Sequence, residues 1–340
     1  MEILLGKNLE EVKVIVKDLG LPSFTATQII DWLYVKKVRT IDEMTNLSKK
    51  ARALLSERFE VGRIKFSEKI VSIDGTKKYL FPAQCPTGLE AMGIEAVMIP
   101  NGDRRTICVS SQAGCKMACK FCMTGRQGFH GNLSAGEIIS QFMEIEESDQ
   151  LTNAVFMGMG EPLDNYDNVM RAIDILTAPW GFAWSPKRIT LSTIGVIPFL
   201  RKYLDESKCH LAISIHNPFP DQRLELMSVQ NKYNIEDVVS LIKEYDFTGQ
   251  RRVSFEYIMF DGVNDSKQHA DAMIRLLRGL ECRVNLIRFH KIPDSDLSPS
   301  PMVKIDMFKD RLNDAGVTTT LRASMGEDVF AACGMLAGKK

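Results

Sequence analysis

Three cysteines fall within eight residues in the segment Gly114-Cys115-Lys116-Met117-Ala118-Cys119-Lys120-Phe121-Cys122, so a single loop can wrap one metal centre. Iron–sulfur clusters usually take four cysteine thiolates, and three close thiolates without a nearby fourth leave one iron open to a substrate. The competing assignment is a structural zinc site, which needs a fourth ligand, and His130 is the nearest candidate. Cysteines at i, i+4 and i+7 followed by a helix are unusual for a zinc knuckle. Ligand number and spacing therefore favour the iron–sulfur centre at Cys115, Cys119 and Cys122.

Other residue types invite chemistry at strand ends. Gly158-Met159-Gly160-Glu161 follows an apolar run, where glycines let backbone approach a ligand and a carboxylate accepts hydrogen bonds from an ammonium group. Ser192 ends another strand-like run, and Ser214-Ile215-His216 ends the next. Cys108 and Cys333 lack ligand spacing with the three-cysteine loop, and on their own they read as buried thiols. Glu95 sits between apolar strand residues, where alternation alone would turn it to solvent.

The elements that must position these residues form an alternating pattern. Residues 1 to about 60 read as a small helical module. Asn8 caps an apolar stripe of Leu9, Val12, Val16 and Leu19 that Gly20 ends, Thr25 with Gln28 forms a capping-box pattern, and Ser48 opens a third helix. Residues 61 to 100 carry short strand patterns at 78–81 and 94–99. From 101 to 340, strands at 106–110, 152–157, 188–192, 210–215, 253–259, 284–287 and 318–321 alternate with helices near 134, 165, 197, 235, 266 and 303. About six βα units predict an α/β fold, a partial parallel (β/α) barrel whose ligand sites lie at the C-terminal ends of its strands.

Composition narrows the class. The chain has 340 residues, 45% hydrophobic and 25% charged, enough for a large core. Its first residues show no signal peptide and no apolar run spans a membrane, so a cytoplasmic protein is expected, in which eight cysteines mean metal or catalytic thiols rather than a disulfide scaffold. With 43 basic and 43 acidic residues, no global field draws a polyanion. An RNA substrate would need local patches such as Lys36, Lys37 and Arg39, or Lys49, Lys50 and Arg52, or Arg104 and Arg105, or Arg251 and Arg252, each of which also reads as an ordinary solvated face.

The C-x3-C-x2-C pattern resembles the radical S-adenosylmethionine superfamily. Residues 105–112, Gly128-Phe129 with Asn132-Leu133, Met157 to Pro162, Leu191 to Thr193, Ser214 to His216, Asn285 to Ile287 and Ala331 to Gly334 are similar to the RlmN/Cfr family of adenine-carbon RNA methyltransferases, in order along nearly the whole chain. The resemblance implies a [4Fe-4S] cluster on the three cysteines. It also implies S-adenosylmethionine held by Gly160, Glu161, Ser192 and the Ser214-Ile215-His216 turn, with His290 standing where the family usually has asparagine.

The same resemblance assigns the remaining thiols. Cys333 would accept a methyl group from one S-adenosylmethionine, and a 5′-deoxyadenosyl radical from a second would activate that methyl for addition to the adenine carbon. Cys108 would then release the product by attacking the Cys333 sulfur, leaving a transient disulfide for reductant to reset, while Glu95 would take the proton from the methylated carbon. Cys85, Cys209 and Cys282 match no such position and read as structural. The implied partners are 23S ribosomal RNA, tRNA as a second substrate, and an external electron donor. Methylation at C2 leads and C8 stays open, because Gly128 to Leu133 sides with the C2 branch whereas Ser192 to Gly195 and Asn285 to Arg288 occur in the C8 branch. A zinc-stabilised RNA-binding module without catalysis is the alternative from another class.

Overall fold

Local chemistry starts and stops the first helices. In the computed structural model, which describes residues 1–83, 93–249 and 251–337, the Asn8 side chain accepts the Glu11 N–H at 3.0 Å, and the Glu11 carboxylate accepts the Asn8 N–H at 2.9 Å. This reciprocal cap satisfies two N–H groups that a helix start leaves without partners, and it opens the helix Leu9–Asp18 with Val12 and Val16 buried. Ser48 caps Lys49–Arg58 by accepting the Ala51 N–H. The capping box expected at Thr25 does not form. The chain already turns at Pro22 and Ser23, whose carbonyls take the N–H groups of Thr25 and Ala26, so Thr25 is buried in the first turn of Thr25–Ile30. Strands β1 (Glu2–Ile3) and β2 (Phe59–Glu60) pair in parallel and join the start of this segment to its end.

Four strands then run antiparallel as β3 (Glu68–Val71), β4 (Lys77–Pro82), β5 (Gly93–Asn101) and β6 (Arg104–Cys108). β7 (Gln112–Gly114) and β8 (Phe129–Asn132) make a separate ladder that brackets the cysteine loop. Beyond them, β9 (Asn153–Phe156), β10 (Ile189–Thr193), β11 (His210–Ser214), β12 (Val253–Met259), β13 (Arg283–Arg288) and β14 (Thr318–Leu321) extend the sheet in parallel from β6. Among the described residues the sheet order is β14-β13-β12-β11-β10-β9-β6-β5-β4-β3, so the 61–100 segment is hydrogen-bonded into the edge of the core sheet.

Parallel neighbours need a crossover, and the helices Ala135–Glu144, Tyr166–Thr177, Ile197–Glu206, Ile235–Ile242, Lys267–Leu277 and Met302–Asp314 supply six of them. The expected partial barrel is therefore present, with strands such as β12 buried along nearly their whole length, as crossover helices covering a parallel sheet require. β6 stops at Cys108 rather than at Ser110. Ser110 leaves the ladder because its N–H goes to the Gln141 side chain at 2.9 Å and its hydroxyl to the Glu95 carbonyl at 2.6 Å. Among the described residues no helix is long and apolar enough to cross a membrane.

Candidate active site

The carboxyl ends of the parallel strands surround one cavity of about 230 Å³. Cys108 enters it from β6, Gly158, Gly160 and Glu161 from beyond β9, Ser192 from β10, Ser214 and His216 from β11, and Arg322 from beyond β14. Cys115, Cys119, Cys122 and Cys333 line the same space. Strand ends are where an α/β barrel collects its reacting groups, because each strand points one loop at the same rim.

Close backbone contacts shape the cysteine loop. The Cys115 N–H donates to the Gly128 carbonyl at 2.8 Å, and Gly114 turns at φ +73° so close to that carbonyl that a Cβ would lie 1.9 Å from its oxygen. Burial pushes the Cys115 thiol up to about 12, and raises Cys119 and Cys122 as well; at Cys119 the other two thiols add to the effect. A bound cation reverses that logic and deprotonates its thiol ligands outright.

Arg223 supplies an independent test of fit. Its guanidinium is fully buried, and its partners are all neutral: the carbonyls of Ile215 at 3.0 Å, Ser214 at 3.1 Å and Ile194 at 3.2 Å, and the Gln230 side chain at 2.7 Å. Burial lowers it to about 10, and the Cys119 thiolate is the anion that opposes the fall. A buried cation with no carboxylate partner among the described residues, beside a three-cysteine loop, suits an anionic iron–sulfur cluster. His130, the fourth zinc ligand considered above, lies outside the cavity with Nε2 3.0 Å from the Gln127 carbonyl. Among the described residues no three His, Cys, Asp or Glu side chains close around a single metal ion.

The glycine-rich turn lines the cavity and carries a packing constraint of its own. A Cβ on Gly158 would meet the Val109 backbone at 2.7 Å, and one on Gly160, at φ +97°, would meet Gln112 Cβ at 2.5 Å. These glycines let the turn pack against the protein's own chain beside β7. Glu161 is buried and raised to about 7 by that burial, which outweighs the Thr193 hydroxyl at 2.6 Å and the N–H groups of Ile194 and Leu163 at 3.0 and 3.1 Å.

His216 adopts φ +54°, a conformation unusual for a residue with a Cβ, and packs edge-on against Phe121. Its Nδ1 accepts the Ile258 N–H at 3.1 Å, which leaves Nε2 as the donor of a neutral ring. Burial lowers the ring to about 3, with Arg223 adding to the effect.

Three predicted residues do not line the cavity. Ile215 is in the core and contributes backbone, its carbonyl being held by Arg223. His290 is buried 3.1 Å from Glu327 in the segment after β14. Glu95 is buried rather than solvent-facing, paired with Lys78 at 3.0 Å and accepting the Ala337 N–H at 2.7 Å.

Cys108 and Cys333 both line the cavity as free thiols, Cys108 buried as expected and Cys333 exposed rather than buried; Cys209 and Cys282 are free too, and Cys85 lies outside the described residues. Burial, reinforced by Cys333, pushes Cys108 up to about 12, against the opposing pull of Arg322. The segment carrying Cys333 is fastened at both ends. Asp74 accepts the Gly326 N–H at 2.7 Å and Ser72 bonds Asp328, while Thr124 bonds the Leu336 carbonyl, Gly334 accepts the Met123 N–H and Gln127 holds the Ala337 carbonyl.

Sequence reasoning missed Arg322, Glu256 and Arg223, which carry no motif; an isolated arginine at a strand end is the one signal available. It also offered basic patches, some of whose members the fold engages. Lys36 pairs with Asp31, Lys37 with Asp149, Arg39 with Glu144, and Arg251 caps the carbonyls of Leu204 and Ser207, whereas Lys49 and Lys50 stay exposed.

A barrel edge that gathers three loop cysteines with the strand-end residues around one cavity defines a radical S-adenosylmethionine enzyme, and the Radical SAM superfamily pattern matches residues 109–274. Residues 3–61 match the ribosomal RNA large subunit methyltransferase N-terminal domain. A probable dual-specificity RNA methyltransferase RlmN from Parabacteroides distasonis is 54% identical, covering 99% of this chain and 97% of its own. The dual-specificity RNA methyltransferase RlmN of Syntrophus aciditrophicus is 39% identical, covering 98% and 95%. The crystal structure of a radical SAM methyltransferase from Sphaerobacter thermophilus superposes with a TM-score of 0.91 at 36% identity, covering both chains fully. The chain belongs to the RlmN family of radical S-adenosylmethionine RNA methyltransferases, whose members work with a [4Fe-4S] cluster and S-adenosylmethionine. That membership overturns the zinc-stabilised, non-catalytic alternative.

Proposed function

We propose that this chain methylates C2 of an adenine in 23S ribosomal RNA and in tRNA, by way of a methyl group carried on Cys333. The observation that carries the reading is the single cavity shared by the three-cysteine loop, Cys108 and Cys333. The relatives' name, dual-specificity RNA methyltransferase, supports two RNA classes.

Cys115, Cys119 and Cys122 would hold the cluster, and Gly160, Glu161, Ser192, Ser214, Ile215, His216 and His290 would hold the S-adenosylmethionine, Ile215 through its backbone. When bound, this pair supplies a transferable methyl group and one-electron cleavage of a sulfonium. The Cys333 thiolate takes the methyl as its S–C bond forms and the sulfonium C–S bond breaks. Once that carbon is bonded to the adenine, the Cys108 thiolate attacks the Cys333 sulfur. An S–S bond forms as the Cys333 C–S bond breaks, its electron pair passing to the adenine-bound carbon, which takes a proton to become the methyl group, and two electrons and two protons from an external reductant restore both thiols. Glu95 serves as the base that takes the adenine proton, which requires its hydrogen bond to Ala337 to open.

We read residues 1–60 as the accessory module that grips RNA by shape and phosphate contacts, residues 61–100 as the β segment, and residues 101–340 as the catalytic core, acting in the cytoplasm. The target adenine must leave its stack to reach the cavity. The test is incubation of the anaerobically reconstituted enzyme with S-adenosylmethionine, reductant and protein-free 23S RNA or tRNA, followed by nucleoside analysis. Finding 2-methyladenosine is the expected result, 8-methyladenosine overturns the C2 assignment, and no methylated adenosine overturns the substrate class.

A further inference from the structure

The loop that delivers Cys333 carries an aromatic side chain in a costly conformation. Phe330 lies three residues before Cys333, and its backbone sits at φ +53° and ψ +43°. That left-handed region strains any residue with a Cβ, and glycine ordinarily takes it where a helical turn ends. The same loop uses glycine for it at Gly326 and Gly334. Core packing does not explain the exception, because Phe330 is 55% exposed. The loop is nonetheless fixed in shape: the Ala331 N–H bonds the Gly326 carbonyl at 2.8 Å, and the Phe330 N–H bonds the Glu327 carbonyl at 3.2 Å.

A second apolar side chain stands on the neighbouring loop. Ile73, in the turn between β3 and β4, is 95% exposed. Its N–H bonds one oxygen of Asp328 at 3.1 Å while the Ser72 hydroxyl bonds the other, and Asp74 holds the Gly326 N–H at 2.7 Å. The two loops that carry these exposed side chains are therefore fastened to each other.

What covers this surface follows from the chemistry of Cys333. Its sulfur is joined through the transferred carbon to the adenine, and three residues of chain reach at most about 11 Å. The nucleotides flanking that adenine therefore pass within reach of Phe330. Extruding a base leaves its neighbours with an unstacked face, and every base presents a π-face to an aromatic ring whatever its identity. We propose that Phe330 stacks against the nucleotide next to the target adenine, with Ile73 extending the apolar shelf, and that the strained backbone is retained because it holds the ring out for RNA. The proposal rests on the role of Cys333 given under the proposed function.

The test is binding of an unmodified tRNA transcript to the full-length, cluster-loaded enzyme, followed by fluorescence anisotropy over a range of salt concentrations, with iron content and melting temperature measured on the same proteins. Phe330→Ala is expected to weaken binding about ten-fold, Phe330→Trp to restore it, and Phe330→Leu, which keeps apolar bulk without a π-face, to resemble alanine. The slope of log Kd against log salt should stay that of the parent, because stacking releases no counterions, whereas a displaced basic surface would flatten it. Phe330→Gly is expected to bind as weakly as alanine yet melt about 2 °C higher than the parent, since glycine takes the left-handed conformation without strain. Where a Phe330 protein loses iron, Ile73→Ala reads the same surface, with binding expected to weaken about three-fold. Parental affinity in whichever of the alanine proteins keeps its iron would overturn the proposal, as would a leucine variant equal to phenylalanine or a glycine variant that melts lower. Binding needs no methyl transfer, so a failure here leaves the nucleoside analysis untouched, and a failure there leaves this result standing.

Discussion

The cavity draws its sulfur from two regions built on opposite principles. Cys115, Cys119 and Cys122 come from one loop, bracketed by the β7–β8 ladder and turned by Gly114. Cys108 and Cys333 come from the first core strand and the segment after β14, brought together only by closure of the whole sheet. A metal centre assembled from adjacent residues survives changes elsewhere in the fold, whereas a reacting pair assembled from distant ones depends on every fastening between them.

The largest effect should separate the two regions cleanly. Cys119→Ala is expected to cut methylation by more than about a hundred-fold and to deplete iron and sulfide, because a metal ligand matters more than the residues that orient it. Cys333→Ala should cut methylation as severely with iron and sulfide unchanged. A Cys333 variant that lost its cluster would show that the two regions are one unit.

Proton binding sharpens the contrast at the cavity wall. His216 is lowered to about 3 from an ordinary 6.5, so between those values the unfolded chain binds a proton that the folded chain does not, and stability falls as pH drops through that window. Glu161 is raised to about 7 from 4.5, so the folded chain holds the extra proton there, and stability falls as pH rises from 4.5 to 7. Each slope is at most about 1.4 kcal/mol per pH unit, and in the shared window they oppose each other. Urea melts between pH 4 and 8 should show His216→Asn losing stability as pH rises and Glu161→Gln gaining it, relative to a flatter parent. Parallel curves for all three proteins would count against both buried assignments.

The smallest effect belongs to the fastening of the distant pair. Asp74→Ala removes the acceptor of the Gly326 and Thr76 N–H groups, worth about 1 kcal/mol for each bond lost. It should speed limited proteolysis of residues 323–337 while iron content stays constant. Unchanged proteolysis would mean that the contacts at Thr124, Gln127 and Glu95 hold the segment alone.

Sequence legibility follows the same division. The three-cysteine spacing, the six βα units and the strand-end placement of Ser192, Ser214 and His216 were readable because each depends on neighbours within a few positions. The thiol pair was readable only through family resemblance. Arg322, Glu256 and Arg223 were not readable, since each acquires its meaning from carbonyls, carboxylates and thiols far along the chain. The glycines at 158 and 160 were singled out for a ligand, and their close packing on Val109 and Gln112 was not readable. Thr25 failed as a cap because a preceding turn had already taken its N–H, a competition that spacing does not express.

β3 and β14 are the two edges of the ten-stranded sheet, and the bonds from Asp74 and Ser72 to Gly326 and Asp328 bridge chain segments lying just beyond those edges. Ser72 and Asp328 are 256 positions apart, so this bridge cannot exist until nearly all of the chain has been synthesised. The βα units rest on shorter-range contacts and form ahead of it, and closing so long a loop costs entropy that only the finished sheet offsets. Order of assembly is therefore written into the topology: the loop of Cys115, Cys119 and Cys122 lies within the part of the chain made early, and the fastening of the Cys333 segment comes last.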